Sequence, residues 1–323
     1  MPSNNAIDSP VNFSFLLILV PLFVTCISWF YSRSKRRHSL PLPPGPKPLP
    51  LIGNLFDIPQ ERPWVAYMDW SKTYASDIIF MTVFSQPTVV ISSAKAAFDL
   101  MEKRSNIYSD KPRVVMDELT GWDWNMGVMP YGQRWRDTRR CFHQHFHQGV
   151  VGKYNPIQIR EVQAFLRRAL ISPGDVEVKS ISQTIAAIIL GITYGIQVHD
   201  MNDDYIKLAR KSVEGLVLAR RPGVFWVDYF PLLKYIPAWV PGASGKQLGR
   251  FYKPLVEEMK NRPFNAVKND VLTNMATPSV AEKVIVALQQ KPTSNEVYNM
   301  MEQVARDALG IAYAGSSYRT SKL

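Results

Sequence analysis

The sequence predicts a mainly α-helical protein with a small β-sheet near its start and one transmembrane helix ahead of the sheet. Three observations lead to this prediction. Apolar residues recur at helical spacing over much of residues 155–312, and two short runs between positions 77 and 91 are rich in β-branched and aromatic residues. Residues 11–31 are uncharged and mostly apolar. With 323 residues, 46% of them hydrophobic, the chain can bury a substantial core.

Residues 11–31 are predicted to form the transmembrane helix. No charged residue occurs between Asp8 and Arg33, and the run ends with Trp29 and Tyr31, which suit the membrane interface. A cleaved signal peptide is the competing interpretation. No basic residue precedes the run, however, and no clear cleavage site follows it.

A basic and proline-rich hinge is predicted over residues 32–54. Its basic residues directly follow the membrane run, and they are Arg33, Lys35, Arg36 and Arg37. Because positive residues favour the cytosolic side, they predict that residues 1–10 are luminal and that the rest of the chain is cytosolic. Six prolines between positions 41 and 50 favour a stiff, extended strut. A generic linker or a PxxP ligand would show the same proline pattern.

Charge and cysteine content limit the partners. The net charge of +11 suits an anionic membrane surface, an acidic protein or nucleic acid. No stripe of basic residues interleaved with aromatics is present, so a nucleic-acid partner is not predicted. The two cysteines, Cys26 and Cys141, form no CxxC motif and predict neither a disulfide framework nor a structural zinc site.

The secondary structure after the hinge begins with a hairpin. Residues 77–84 and 88–91 are predicted strands, and Ser93 is the predicted cap of a helix over residues 94–103. A capping box, Thr293-Ser-Asn-Glu296, is the predicted start of the last helix. Between these, three helices are predicted from the apolar sets Val162, Phe165 and Leu166; Ile181, Ile185, Ile188 and Ile189; and Ile206, Val213 and Val217.

An arginine-rich segment, residues 130–146, is the strongest candidate for a binding site. If it is helical, Trp135 and Arg139 lie one turn apart on the same face. That face offers an indole donor and a guanidinium fork to an anion, either a carboxylate or a phosphate. The competing interpretation is a solvated basic helix whose Trp135 packs into the core.

Two further groups of residues lie in or beside this segment. The first comprises Cys141, His143, His145 and His147. Only two of these, His143 and His147, share a helical face, so no tetrahedral metal site is predicted. The second lies in residues 114–129, where Met116, Trp122 and Met126 suit an adaptable apolar pocket. The alternative is that these side chains merely pack on the core.

The order of the parts resembles that of microsomal cytochrome P450 monooxygenases. An uncharged span is followed by a basic cluster, a Pro-Pro-Gly-Pro strut and Leu-Ile-Gly-Asn leading into a domain. Residues 228–243, the aromatic loop, resemble the Pro-x-Leu-x-Tyr-x-Pro-x-Trp-x-Pro-Gly linker of fungal members. The resemblance implies a cytochrome P450 fold over residues 55–316, followed by a divergent tail at 317–323.

The resemblance also implies roles for individual residues. Trp135 and Arg139 match the Trp-x-x-x-Arg motif that binds a haem propionate. The loop with Met116, Trp122 and Met126 would contact the substrate. In the family's Ala-Gly-x-Asp/Glu-Thr-Thr/Ser motif, Ala314 and Gly315 match the first two positions and would be a remnant of the oxygen groove. The sequence then departs from the motif, because a serine, Ser317, stands where the acid is expected.

No cysteine of the sequence matches the family's iron ligand. That ligand lies in a Phe-x-x-Gly-x-Arg-x-Cys-x-Gly loop, and neither Cys26 nor Cys141 has this context. The resemblance covers residues 10–316, roughly the N-terminal three fifths of such an enzyme. We therefore expect a fold that is incomplete at its C-terminus, no metal ligand in this chain and doubtful haem binding.

The complete family member would be anchored in the endoplasmic-reticulum membrane by one span. With haem (iron protoporphyrin IX), O2 and a flavin-containing reductase, it would oxidise a small apolar substrate. The aromatic loop would dip into the bilayer, although a packed loop is the plain alternative. The final Ser-Lys-Leu matches a peroxisomal address, which we interpret as coincidence. The rival interpretation is a non-catalytic, incomplete gene product or a membrane-bound interaction protein.

Overall fold

The structure is a computed structural model that describes residues 41–317, except positions 60, 85, 172–177, 199, 201, 222, 241, 292 and 293. The predicted class, mainly α with a small sheet, is confirmed. The antiparallel strands are β1 (Ile78–Val83) and β2 (Gln86–Ile91). The helices are α1 (Pro63–Thr73), α2 (Ala94–Ala97), α3 (Ser105–Tyr108), α4 (Val115–Leu119), α5 (Gln133–Phe146), α6 (Asn155–Ile171), α7 (Val178–Tyr194), α8 (Asp204–Ala219), α9 (Ser244–Leu272), α10 (Val280–Gln289) and α11 (Asn295–Ser317).

The predicted membrane span, residues 11–31, lies outside the described residues. In the part of the chain that the structure describes, no helix has both the length and the apolar content to cross a bilayer.

One compact unit comprises residues 41–57 and 62–96 of the described chain. Its hairpin pairs Ile78 with Ile91 and Thr82 with Pro87, so β2 begins at Gln86, two residues before the predicted start. Proline is tolerated there because β2 lies at the edge of the two-stranded sheet. The proline-rich segment packs on β1, since the Phe80 amide donates to the Pro44 carbonyl across 2.9 Å. A Cβ at Gly45 would lie 1.9 Å from the Phe80 carbonyl oxygen, which explains the glycine.

The other unit comprises residues 58–61 and 97–317 of the described chain. Its main core joins side chains of α7 to α11, among them Leu190, Val213, Met259, Phe264, Ile285 and Leu309. A smaller core joins α4 to the end of α8 and the residues after it, through Val115, Met116, Ala219, Phe225 and Val227. In the middle of α11, Ala305, Ala308 and Leu309 are all buried, and α5 packs against this helix.

Several helical predictions need correction in detail. The predicted helix over 94–103 is α-helical only at Ala94–Ala97 and continues as a π-helical turn, Phe98–Glu102. The helix α11 begins one residue after Ser294, whose hydroxyl accepts from the Val297 amide across 3.4 Å, while Thr293 lies outside the described residues. All three middle helices form, but four of the apolar side chains whose spacing predicted them are exposed: Val162, Leu166, Ile181 and Ile185.

Candidate functional site

The arginine-rich segment forms α5, and its spacing brings Trp135 and Arg139 together. Gly132 precedes the helix in an extended conformation, and the helix then runs without interruption from Gln133 to Phe146. The guanidinium carbon of Arg139 lies 5.3 Å from the centre of the Trp135 ring. The two side chains therefore share one face of the helix, as the i to i+4 spacing predicts.

A second cation converges on the same indole. The Lys111 ammonium lies 5.3 Å from the centre of the Trp135 ring, and Tyr131 packs beside the ring at a centroid distance of 5.1 Å. Neither Lys111 nor Arg139 makes a side-chain hydrogen bond or ion pair with any residue that the structure describes. Two positive charges thus meet at one half-buried ring, an arrangement that favours an anionic ligand.

The Trp135 indole is already engaged as a donor. Its Nε1 donates a hydrogen bond to the carbonyl of Met126 across 3.1 Å, which fixes the loop before α5 to the ring. The ring can therefore position Arg139 and Lys111 by cation–π contact, while the indole N–H is satisfied by the backbone. A ligand that also needed this N–H would have to displace the Met126 carbonyl.

The other arginines of α5 have partners within the protein. Arg140 pairs with Asp137 across 3.3 Å at the surface, and Arg136 donates to the side-chain oxygen of Gln133 across 2.7 Å. Arg134 reaches α11, where it donates to the carboxylate of Asp307 across 2.7 Å. Within the described part of α5, Arg139 is thus the arginine left to bind an external anion.

Asp307 is a buried carboxylate that sequence reasoning missed. Its side chain is fully buried, and it accepts from Lys260 Nζ across 3.2 Å and from Gln303 Nε2 across 2.8 Å, in addition to Arg134. A lone acid between Ala305 and Ala308 on an apolar helix was the available signal, because a carboxylate at such a position needs cationic partners. The residue joins α5, α9 and α11.

The loop before α5 packs against α11 just after Asp307. A Cβ at Gly310 would lie 3.0 Å from Cζ3 of Trp124, so the glycine permits this close approach. Lys260 lies over the Trp124 ring at 5.0 Å, and Trp122 stacks on Trp124 at 5.5 Å. One turn further along α11, Ala314 is buried, whereas a Cβ at Gly315 would meet nothing within 4 Å. The helix surface is thus open at Gly315.

The residues predicted to contact substrate lie in different surroundings. Met116 is fully buried in the smaller core, beside Phe225 and Val227. Trp122 is fully buried in the main core, and its indole N–H has no hydrogen-bond partner among the described residues. Met126 is half-buried and contributes its carbonyl to Trp135. All three residues thus make contacts within the protein, and their contact with a substrate stays a prediction.

The cysteine and histidines of α5 do not converge on a metal site. His143 and His147 stack with ring centres 5.0 Å apart, as their shared helical face predicts. Burial lowers the pKa of His145, with Lys153 and Lys283 adding to the effect. Among the described residues, no group of three histidine, cysteine or acidic side chains could hold a metal ion.

A haem would be only partly matched by the described residues. Arg139 and Lys111 suit the negative charge of a propionate. Cys141 does not suit an axial thiolate, because burial raises the pKa of its thiol to about 11 and keeps the thiol protonated near neutral pH. Cys26 lies outside the described residues.

Comparison with known proteins gives a consistent result. The sequence model of the family "Cytochrome P450" matches residues 43–302. "Cytochrome P450 monooxygenase COX2" of Coprinopsis cinerea is 39% identical over 275 residues, which cover 84% of this chain and 51% of that protein. "Tryptamine 4-monooxygenase" of Psilocybe cyanescens is 35% identical over 84% of this chain and 54% of its own length. "Cytochrome P450 monooxygenase 98" of Postia placenta is 36% identical over 94% of this chain and 57% of its own length. The chain thus spans about half the length of the curated relatives it matches.

Proposed function

Because this chain belongs to the cytochrome P450 family, we propose that it is the N-terminal portion of a membrane-anchored haem monooxygenase. The complete enzyme would oxidise a small apolar organic substrate and receive electrons from a flavin-containing reductase. The observation that carries the proposal is the pair of cations, Lys111 and Arg139, that converge on Trp135, neither of them held in an ion pair with a described residue.

In this proposal Arg139 binds a haem propionate and Trp135 holds Arg139 in place. The guanidinium fork matches the two oxygens of a carboxylate, and Lys111 adds a second positive charge. Haem bound by a thiolate ligand supplies the O2 chemistry, while the protein contributes position, shape and charge. The thiolate would come from the part of the relatives that this chain does not span.

Substrate and oxygen would be accommodated by the loop before α5 and by the end of α11. Met116, Trp122 and Met126 are the proposed substrate contacts, and Ala314 with Gly315 the proposed oxygen groove. The open surface at Gly315 and the close packing of the loop on α11 at Gly310 support this arrangement.

The proposal includes a second membrane contact at the aromatic loop. Leu232, Tyr235 and Trp239 are 79%, 72% and 79% exposed. Exposed aromatic residues of this kind favour the membrane interface. The proposed site is the endoplasmic-reticulum membrane, with the predicted span at residues 11–31 as the primary anchor.

A second candidate function is favoured by the outer surfaces of α6 and α7. Ile159, Val162, Leu166 and Leu170 form an exposed apolar stripe along α6, and Ile181 with Ile185 is exposed on α7. Apolar surface of this kind favours association or aggregation. Together with the protonated Cys141, it supports a non-catalytic membrane-bound protein whose function is interaction.

Titration of the full chain with ferric protoporphyrin IX tests the proposed site. We expect Arg139→Gln to weaken binding about 10-fold, because it removes a charge-assisted contact to the propionate. Arg140→Gln is the matched control, since Arg140 pairs with Asp137 at the surface, and we expect it to bind as the unaltered chain does. Equal binding by the two variants would contradict the assignment of Arg139.

The reduced, CO-bound absorbance spectrum tests whether this chain supplies an iron ligand of its own. A red-shifted Soret band typical of thiolate-ligated haem would show that this chain supplies its own iron ligand and would overturn the non-catalytic alternative. Spectra without that band, combined with haem binding through Arg139, would support a chain that holds the porphyrin but lacks the iron ligand.

A further inference from the structure

Three polar contacts connect the short helix α4 to the aromatic loop and to the residue at the end of α8. Asp228, the first residue of the loop, accepts a hydrogen bond from the Met116 amide across 2.9 Å. Asp117 accepts two hydrogen bonds from Arg220, one of them from Nε across 3.0 Å. Glu118 pairs with Lys234 of the loop across 3.3 Å.

The helix α4 depends on its surroundings for stability. It has five residues, far fewer than the roughly 12 that an isolated helix needs in water. Two glycines of α9 allow its close approach: a Cβ at Gly249 would lie 2.5 Å from the Leu119 carbonyl, and one at Gly245 would lie 2.7 Å from the Met116 sulfur. Packing holds one side of α4, and the polar contacts hold another.

Arg220 compensates two carboxylates at once. Burial raises the pKa of Asp117, against the hydrogen bonds and charge of Arg220, which lower it. Burial also raises the pKa of Asp228, the charge of Asp117 adds to this increase, and the Met116 amide and Arg220 oppose it. Without Arg220 the two acids would repel each other at the point where α4 meets the loop.

We infer that Arg220 and Asp228 are positioning residues that fix α4 to the end of α8 and to the aromatic loop, respectively, so that displacement of the loop is transmitted to Met116. The inference rests on the proposed function in one respect, because the proposed function is what assigns substrate contact to α4 and membrane contact to the aromatic loop. The connection itself is a property of the described residues and is testable separately.

Hydrogen exchange of the full chain, followed by mass spectrometry, measures the connection directly. We expect Arg220→Gln to raise the exchange rate of the amides at 113–121 about 10-fold, because the short helix loses its main charged partner. Exchange in α11 should remain unchanged, which shows that the protein is folded. Arg221→Gln is the matched control, because Arg221 is the adjacent exposed arginine and its side chain forms no hydrogen bond or ion pair with a described residue.

A second variant keeps the test decisive if Arg220→Gln also destabilises α11. Asp228→Ala removes the acceptor of the Met116 amide and leaves the Asp117–Arg220 pair in place. We expect it to increase exchange at 113–121 as well. If the exchange at 113–121 is the same in Arg220→Gln, Asp228→Ala and Arg221→Gln, the inference is overturned.

Transmission from the loop requires a test in a membrane. In liposomes of phosphatidylcholine and phosphatidylserine, we expect Tyr235→Ser combined with Trp239→Ser to alter exchange both in the loop and at 113–121. The same double change in the Asp228→Ala background should alter the loop alone, because the hydrogen bond from the Met116 amide to the loop is then removed. An effect at 113–121 that persists without Asp228 would refute transmission through this residue. If the double change leaves exchange in the loop itself unaltered, the proposed membrane contact fails, and the measurements without liposomes still decide the connection.

Discussion

Arg134 and Asp307 are joined by a hydrogen bond of 2.7 Å between residues that are 173 positions apart in sequence. The contact links α5, which carries Trp135 and Arg139, to the middle of α11, which carries Ala314 and Gly315. Lys260 of α9 binds the second oxygen of the same carboxylate. The orientation of the proposed propionate-binding helix therefore depends on one buried acid.

Replacing Asp307 should destabilise the protein strongly. In Asp307→Asn, Arg134 and Lys260 lose their shared counter-ion, and Lys260 is only 12% exposed. Removal of one partner from a buried ionic group costs about 3–5 kcal/mol of the free energy of unfolding. Urea denaturation followed by circular dichroism measures this loss. The exposed pair Arg140–Asp137 provides the control, since Arg140→Gln should change the stability by less than about 1 kcal/mol. Similar stabilities for the two variants would show that the buried network contributes little.

Two glycines of α11 should respond in opposite directions to substitution by alanine. At Gly310 the new methyl group would lie 3.0 Å from Cζ3 and 3.1 Å from Cη2 of Trp124, which is itself stacked on Trp122. We expect a loss of about 1–3 kcal/mol from this overpacking. At Gly315 the methyl group meets nothing within 4 Å, and alanine should stabilise the helix by up to about 1 kcal/mol. Thermal unfolding of both variants measures the difference, and a stabilising Gly310→Ala would contradict the close packing of Trp124.

Two buried tyrosines should differ in how replacement by phenylalanine changes the free energy of unfolding. The Tyr194 hydroxyl has no hydrogen-bond partner among the described residues, whereas that of Tyr313 donates to the Tyr205 carbonyl. The two rings pack edge to face at 6.2 Å, and both side chains are buried. Tyr194→Phe should leave the free energy of unfolding unchanged or raise it by about 1 kcal/mol, because an unsatisfied polar group is removed. Tyr313→Phe should lower it by about 1–2 kcal/mol, because the Tyr205 carbonyl loses its donor. Chemical denaturation of the two variants tests this contrast, which an equal loss in both would contradict.

Local features of the fold were predictable from sequence where a side chain acts on its own helix or turn. The spacing of Trp135 and Arg139 sufficed to place them together, and Ser93 caps a helix as predicted, accepting from the Ala96 amide across 3.1 Å. The buried positions Ile206 and Val213 of α8 also follow from apolar periodicity.

Features that depend on distant residues were not predictable from sequence. Periodicity identified α6 but not which of its faces is covered, and Val162 and Leu166 are exposed. The role of Asp307 depends on Arg134 and Lys260, which lie far from it in sequence. The satisfied indole of Trp135 likewise depends on the course of the loop at Met126, which carries no periodic pattern.

Cys141 should react slowly with alkylating reagents as long as the protein is folded. Burial raises the pKa of its thiol to about 11, so the folded state favours the protonated form and the reactive thiolate is scarce. In the unfolded chain the thiol has its ordinary pKa of about 8.5. At pH 8 the alkylation rate in the folded state should therefore be about two orders of magnitude lower than in urea. The folded rate should keep rising with pH up to about 11, whereas the unfolded rate should level off above about 8.5. Mass spectrometry of a Cys26→Ser variant treated with iodoacetamide isolates Cys141, and equal rates with and without urea would show that this thiol is not buried in solution.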